Sequence, residues 1–186
     1  MDAFSYLSVL LSIILGLAIQ QVLQGYRALI LSRSRVKLYA PPLIWSVLLL
    51  ALVAQHWWAS FDLSGRAEWS FGVFATILLL TALIYMMAAI VLPDVPPGEA
   101  IDLKEHYHRE APMFFGIGAA AIVWSVLRDV IIDGDLPDPA NLAFHLLFLA
   151  TAAIGALSRR PWVHQALAAV MVAWFIAYTG LLFARL

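Results

Sequence analysis

The chain has 186 residues, of which 63% are hydrophobic and 12% charged, and its formal net charge is −1. A soluble domain of this size could not bury so much apolar side chain, so the composition favours an integral membrane protein in contact with the lipid bilayer. The small net charge gives no support for a nucleic-acid partner. The absence of cysteine excludes disulfides, iron–sulfur clusters and thiolate metal sites.

Six long apolar runs predict an all-α polytopic bundle of six transmembrane helices, forming a single integral membrane domain over residues 1–186. Each run is long enough to cross a hydrocarbon layer about 30 Å thick. The first run lacks a preceding basic segment and is too long for a signal peptide, so we expect it to be retained as a span. The predicted spans are Phe4–Leu31, Pro41–Phe61, Trp69–Leu92, Pro112–Ile132, Pro139–Leu157 and Pro161–Ala184.

The connection between the third and fourth spans predicts one further helix. Within Glu99–Glu110, the apolar residues Leu103 and Tyr107 share a helical face with Ala111. We therefore expect a short cytoplasmic amphipathic helix resting at the membrane interface, separate from the fourth span.

The positive charges of the loops predict the orientation. Six spans alternate sides, and the loops on one side carry eight basic residues against three on the other. By the positive-inside rule the richer side is cytoplasmic, so both termini lie outside, and we expect a bacterial inner membrane. The richer side holds Arg27, Arg33, Arg35, Lys37, Lys104, Arg109, Arg159 and Arg160, and the other holds Arg66, Arg128 and Arg185.

A polar stripe runs along the first span. Its members recur at every fourth position, namely Ser8, Ser12, Gly16, Gln20 and Gln24, and Gln21 adds a third glutamine beside them. Because an amide facing hydrocarbon lacks a partner, we expect the stripe to be turned away from lipid. Two interpretations remain open: interhelical hydrogen bonding, or the wall of a hydrophilic pathway.

Charged and titratable residues are scarce within the spans. Arg128 and Asp129 lie near the outer end of helix four, and because adjacent helical residues point about 100° apart we expect no simple pair. Arg128 either snorkels to the outer interface or turns into a polar cavity. His56 and His145 both lie about one turn inside the outer face. There they either ligate a haem or metal, or they hydrogen-bond neighbours, cap helix ends or face the head groups. We expect His164 to face the membrane interface.

Packing patterns differ between the halves. Small residues spaced four apart, such as Gly116 and Ala120 or Thr151 and Gly155, let helix backbones approach closely, either within one bundle or between subunits. Helix three carries bulkier side chains, and we expect it to be the most lipid-exposed span.

Three functional hypotheses follow. The preferred one is a homo-oligomeric channel or facilitator in which the Ser8–Gln24 stripe of helix one lines a polar path. The second is a non-catalytic subunit or assembly partner of a larger membrane complex. The third is a redox protein that holds haem or metal on His56 and His145. No phosphate loop, nucleophile elbow or HExxH motif indicates an enzyme, and no cofactor other than that haem or metal is indicated.

Overall fold

Six long helices dominate the computed structural model, which describes residues 3–66, 68–96 and 98–182. All six are long and apolar enough to cross a membrane, which confirms the predicted polytopic bundle, and the protein is an integral membrane protein. The predicted end of helix six at Ala184 and the charge of Arg185 lie outside the described residues. The helices are α1 (Ala3–Leu31), α2 (Ala40–Ala59), α3 (Phe71–Ile90), α4 (Leu103–Asp133), α5 (Pro139–Leu157) and α6 (Pro161–Leu182).

The starts of the spans follow local sequence rules. Asp138 caps α5 by accepting hydrogen bonds from the backbone N–H groups of Ala140 and Asn141 at 2.9 and 3.1 Å. Pro139 takes the first helical position, where its missing N–H costs nothing. Ser70 caps α3 in the same manner.

The predicted amphipathic helix over Glu99–Glu110 is not found as a separate element. Asp102 caps a helix that begins at Leu103 and continues through Pro112 to Asp133. Leu103 and Tyr107 are buried, so their apolar face packs against protein instead of resting on the membrane surface. One proline removes a single backbone hydrogen bond, and the tertiary packing on both sides of it keeps the helix continuous.

A two-residue parallel strand pair joins two loops at one end of the bundle. β1 (Val36–Lys37) pairs with β2 (Ile101–Asp102) in the register Val36 to Ile101. The Lys37 ammonium lies 3.7 Å from the Asp102 carboxylate. We call this the basic end, since it also carries Arg159 and Arg160. The opposite end carries a 3-10 turn, Ser60–Gly65, and we call it the 3-10 end.

Five helices form a ring and the sixth lies outside it. Going round the ring, α2 packs against α3, α3 against α4, α4 against α5, α5 against α6, and α6 returns to α2. Helix α1 packs on the outside against α3 and α2. The expectation that helix three is the most lipid-exposed span is therefore wrong. Because α1 covers it, 44% of its apolar stretch is buried, against 17% for α6.

Candidate functional site

The ring of helices α2 to α6 encloses a cavity of about 600 Å³. Its described lining residues come from these five helices, the 3-10 turn and the adjoining Arg66, and none comes from α1. The lining reaches Asp62, Gly65 and Asp133, which are exposed at the 3-10 end, so the cavity opens there. A volume of this size is typical of sites that enclose small molecules.

Aromatic rings close the cavity towards the basic end. The indole of Trp45 stands edge-on to Phe114 and Phe115, with ring centroids 5.6 and 5.2 Å apart. All three residues are buried. Gly155 of α5 makes room for this layer, because a Cβ there would lie 2.7 Å from the ring of Phe115. The base of the cavity is therefore closed, and its one polar group among these rings is the indole N–H of Trp45, which has no partner among the described residues.

His56 lies at the side of the cavity with a defined proton position. Its Nε2 is 3.0 Å from the hydroxyl of Thr81, and that hydroxyl donates to the carbonyl of Ile77 at 2.9 Å. Because the hydroxyl proton is used in this way, Nε2 of His56 is the donor to Thr81. The other ring nitrogen, Nδ1, is left as an acceptor.

His145 has the opposite tautomer. Its Nδ1 lies 2.9 Å from the carbonyl oxygen of Asn141, which can only accept, so Nδ1 carries the proton. Its Nε2 then accepts from the hydroxyl of Ser125 at 3.2 Å. Both nitrogens are therefore engaged. The side-chain Oδ1 of Asn141, also on the cavity wall, is buried and accepts no hydrogen bond from the described residues.

Arg128 and Asp129 form an ion pair beside these histidines. The Asp129 carboxylate accepts from Arg128 Nε at 2.9 Å and from Nη2 at 2.6 Å. The expectation that these neighbours do not pair is wrong, because the long arginine side chain folds back over its own helix. Both residues line the cavity. Nearby, Arg66 lies 3.7 Å from Asp133, so the charges of the mouth are largely neutralised in pairs.

The structure brings His56 and His145 to one cavity without assembling a metal site. Among the described residues, no group of three or more His, Asp or Glu side chains is placed to hold a metal ion. Ligation by His145 would break one of its two hydrogen bonds. The haem or metal hypothesis stays a prediction.

The polar stripe of α1 lies on the outside of the bundle. Gln20 and Gln24 are exposed, and Ser12 donates to the carbonyl of Ser8 at 2.7 Å. Gln21 is half-buried, and its amide donates to the hydroxyl of Tyr85 on α3 at 3.1 Å. Within one chain, the stripe lines no part of the five-helix cavity in the described structure, and protection from lipid would need a second protein.

His164 lies inside the protein at the basic end, so its expected position at the membrane interface is wrong. It is fully buried and lies 3.0 Å from the hydroxyl of Tyr107. Its ring lies tilted at 43° to that of Phe115, with centroids 5.8 Å apart. Tyr107 and His164 therefore form a second layer beneath the aromatic base.

Sequence reasoning missed most of the cavity wall. The signal was present on α4, where Gly118, Ala121, Ser125 and Asp129 recur at three- and four-residue spacing as a strip of small and polar residues. On α5 the lining residues Asn141, His145, Phe148 and Thr151 follow the same spacing, although Phe148 is large and apolar. Apolar residues interrupt both strips, so their periodicity is weaker than that of the polar stripe of α1.

Comparison with known proteins adds nothing to this geometry. No protein-family model, no curated protein and no solved structure matches the chain.

Proposed function

We propose that this membrane protein binds a small amphiphilic molecule, which enters the five-helix cavity from the 3-10 end. The observation that supports the proposal is the cavity itself, about 600 Å³ in volume, closed by Trp45, Phe114 and Phe115 and polar at its mouth. An apolar interior with a few converging polar groups is the common form of a ligand site.

The residues at the mouth of the cavity, where it opens at the 3-10 end, indicate the chemistry of the ligand's polar head group. The arginines there are already paired with carboxylates, so a strongly charged head group would have to break an existing ion pair. The indole N–H of Trp45, at the base, is a buried donor that has no partner among the described residues. The open groups nearer the mouth include two acceptors, the Oδ1 of Asn141 and the Nδ1 of His56. A neutral head group with hydroxyl or amide donors satisfies them, while its hydrocarbon chain lies against the aromatic base.

Binding of 1-oleoylglycerol to the purified protein tests this proposal. The probe has hydroxyl donors and one acyl chain, and radiolabelled probe gives a direct binding isotherm in detergent. Oleate, which has the same chain and an anionic head group, should bind more weakly. Absence of saturable 1-oleoylglycerol binding would contradict the proposal.

A matched pair of variants locates the site. Ala121 lines the cavity, whereas its neighbour Ala120 is exposed on the outside of the bundle. We expect Ala121→Phe to fill the cavity and abolish binding, and Ala120→Phe to bind as the parent protein does. Thermal unfolding of both variants shows that each is folded. Equal binding by the two variants would place the ligand elsewhere.

A facilitator that uses the same cavity is the second candidate. Trp45 lies five residues from the start of α2 at Ala40, so only about 8 Å of helix separates the base of the cavity from the basic end. On this hypothesis the aromatic layer is a closed gate. The polar path would then lie inside the ring of helices α2 to α6 and not along helix one.

Flux of glycerol into proteoliposomes separates the two locations. If the ring carries the path, Phe115→Ala should speed glycerol entry and Gln20→Leu should leave it unchanged. If helix one lines the path in an oligomer, Gln20→Leu should slow entry and Phe115→Ala should not change it. Flux no greater than in empty liposomes for parent and Phe115→Ala protein would rule out the facilitator.

A further inference from the structure

The outer face of α1 carries polar groups that the rest of the chain does not satisfy. Gln20 and Gln24 are exposed, and neither makes a hydrogen bond to any described residue. They border a shallow surface groove of about 350 Å³ that runs along α1 only. Its lining is Gly16, Ile19, Gln20, Leu23, Gln24 and Arg27.

Depth in the membrane makes these amides costly. Gln20 is eleven residues before the last helical residue, Leu31, so it lies about 16 Å from that end of the helix and within the hydrocarbon layer. Neither water nor lipid tails offer a glutamine amide a partner at that depth. The serines of the same stripe differ, since Ser8 and Ser12 both donate to carbonyls of their own helix.

We propose that the groove of α1 is covered by α1 of a second copy of this chain, related by a two-fold axis along the membrane normal. A glutamine amide carries both donors and an acceptor, so the same side chain from each copy pairs with the other across such an axis. The two copies insert with the same orientation, which brings equal depths together. The occupant is thus recognised by the self-complementary chemistry of Gln20 and Gln24.

The shape of the groove fits this arrangement. A Cβ added to Gly16 would meet nothing within 4 Å, so the backbone of α1 is bare there and a facing helix can approach closely. Arg27 is four residues from the end of α1, and its exposed side chain reaches the head-group region. Snorkelling of each Arg27 to lipid phosphate groups would offset the repulsion between the two copies of this charge at the end of the groove.

Cysteine cross-linking tests the geometry directly, because the natural chain contains no cysteine. Gln20→Cys should form a disulfide-linked dimer in liposomes under mild oxidation. Leu146→Cys on α5 and Ile176→Cys on α6, which are exposed at 59% and 64%, are the controls and should remain monomeric. Equal cross-linking at all three positions, or none at Gln20, would overturn the proposal.

Mass in detergent and single-molecule photobleaching in liposomes measure the dimer itself. The double variant Gln20→Leu with Gln24→Leu should raise the dissociation constant of the dimer roughly tenfold or more, because each substitution is present in both copies and removes the contact from both sides. Its monomer should be at least as thermostable as the parent, since leucine suits a lipid-facing position. Ser12→Ala, which removes a self-satisfied hydroxyl, should leave the dimer unchanged. A parent chain that is monomeric at every protein-to-lipid ratio, or a double variant as dimeric as the parent, would contradict the proposal.

Discussion

The imidazole of His164 and the phenol of Tyr107 form a buried donor–acceptor pair whose protons are fixed by a third group. Nε2 of His164 lies 2.9 Å from the carbonyl oxygen of Ser158, which can only accept. Nε2 therefore carries the proton, and Nδ1 accepts from the Tyr107 hydroxyl at 3.0 Å. This pair ties α4 to α6 below the base of the cavity.

Removing the phenolic hydroxyl should destabilise the bundle. Tyr107→Phe leaves Nδ1 of His164 buried without its donor, at an expected cost of about 1 kcal/mol in the free energy of unfolding. Thermal unfolding in detergent measures the loss. Tyr6→Phe is the control, since Tyr6 is 67% exposed. Equal losses in the two variants would show that the buried pair contributes nothing specific.

The close approach of α4 and α5 should not tolerate a methyl group. Gly155→Ala places a Cβ 2.7 Å from the ring of Phe115, and the resulting overpacking should cost about 1–3 kcal/mol. Gly116→Ala is the matched control, because nothing lies within 4 Å of its added Cβ and alanine favours a helix. Adding Phe115→Leu to Gly155→Ala should restore part of the loss. A Gly155→Ala variant as stable as Gly116→Ala would contradict this packing.

Acid should weaken the start of α4. The backbone N–H of Glu105, with smaller contributions from the N–H of Lys104 and the charge of Lys37, lowers the pKa of the Asp102 carboxyl. A lowered pKa means that the capping contribution is present above the unfolded pKa and is lost as pH falls through the folded pKa. The melting temperature of the parent protein should exceed that of Asp102→Asn at neutral pH, and the difference should shrink below about pH 4. A difference independent of pH would show that ionised Asp102 adds nothing to a neutral cap.

Orientation is testable by thiol labelling of single cysteines in intact cells. The positive-inside rule predicts that the basic end is cytoplasmic, so Ser34→Cys should be shielded from an impermeant reagent. Gly134→Cys, on the loop between α4 and α5 at the 3-10 end, should react. Both positions are exposed, so both should label once the membrane is permeabilised. The reverse pattern in intact cells would invert the topology and place the mouth of the cavity in the cytoplasm.

Hydropathy and local signals in the sequence determined the six spans and the starts of most of them. Apolar runs of sufficient length predict six helices, and Pro139 with Asp138 predicts the start of α5, because these effects act within a few residues. The break expected before Pro112 was wrong for a non-local reason. Leu103 and Tyr107 are buried against other helices, and that packing carries α4 through the proline.

Only the tertiary structure decided which face of each helix points inward. In a soluble protein the buried face is marked by apolar residues, but lipid is as apolar as a protein core, so burial leaves little periodic signal in a span. The sequence therefore directed attention to Gln20 and Gln24, which lie on the outside of the chain, and away from Ser125 and Asn141, which line the cavity. The cavity exists because five helices close a ring around residues far apart in sequence, and hydropathy read one segment at a time carries no signal of that closure.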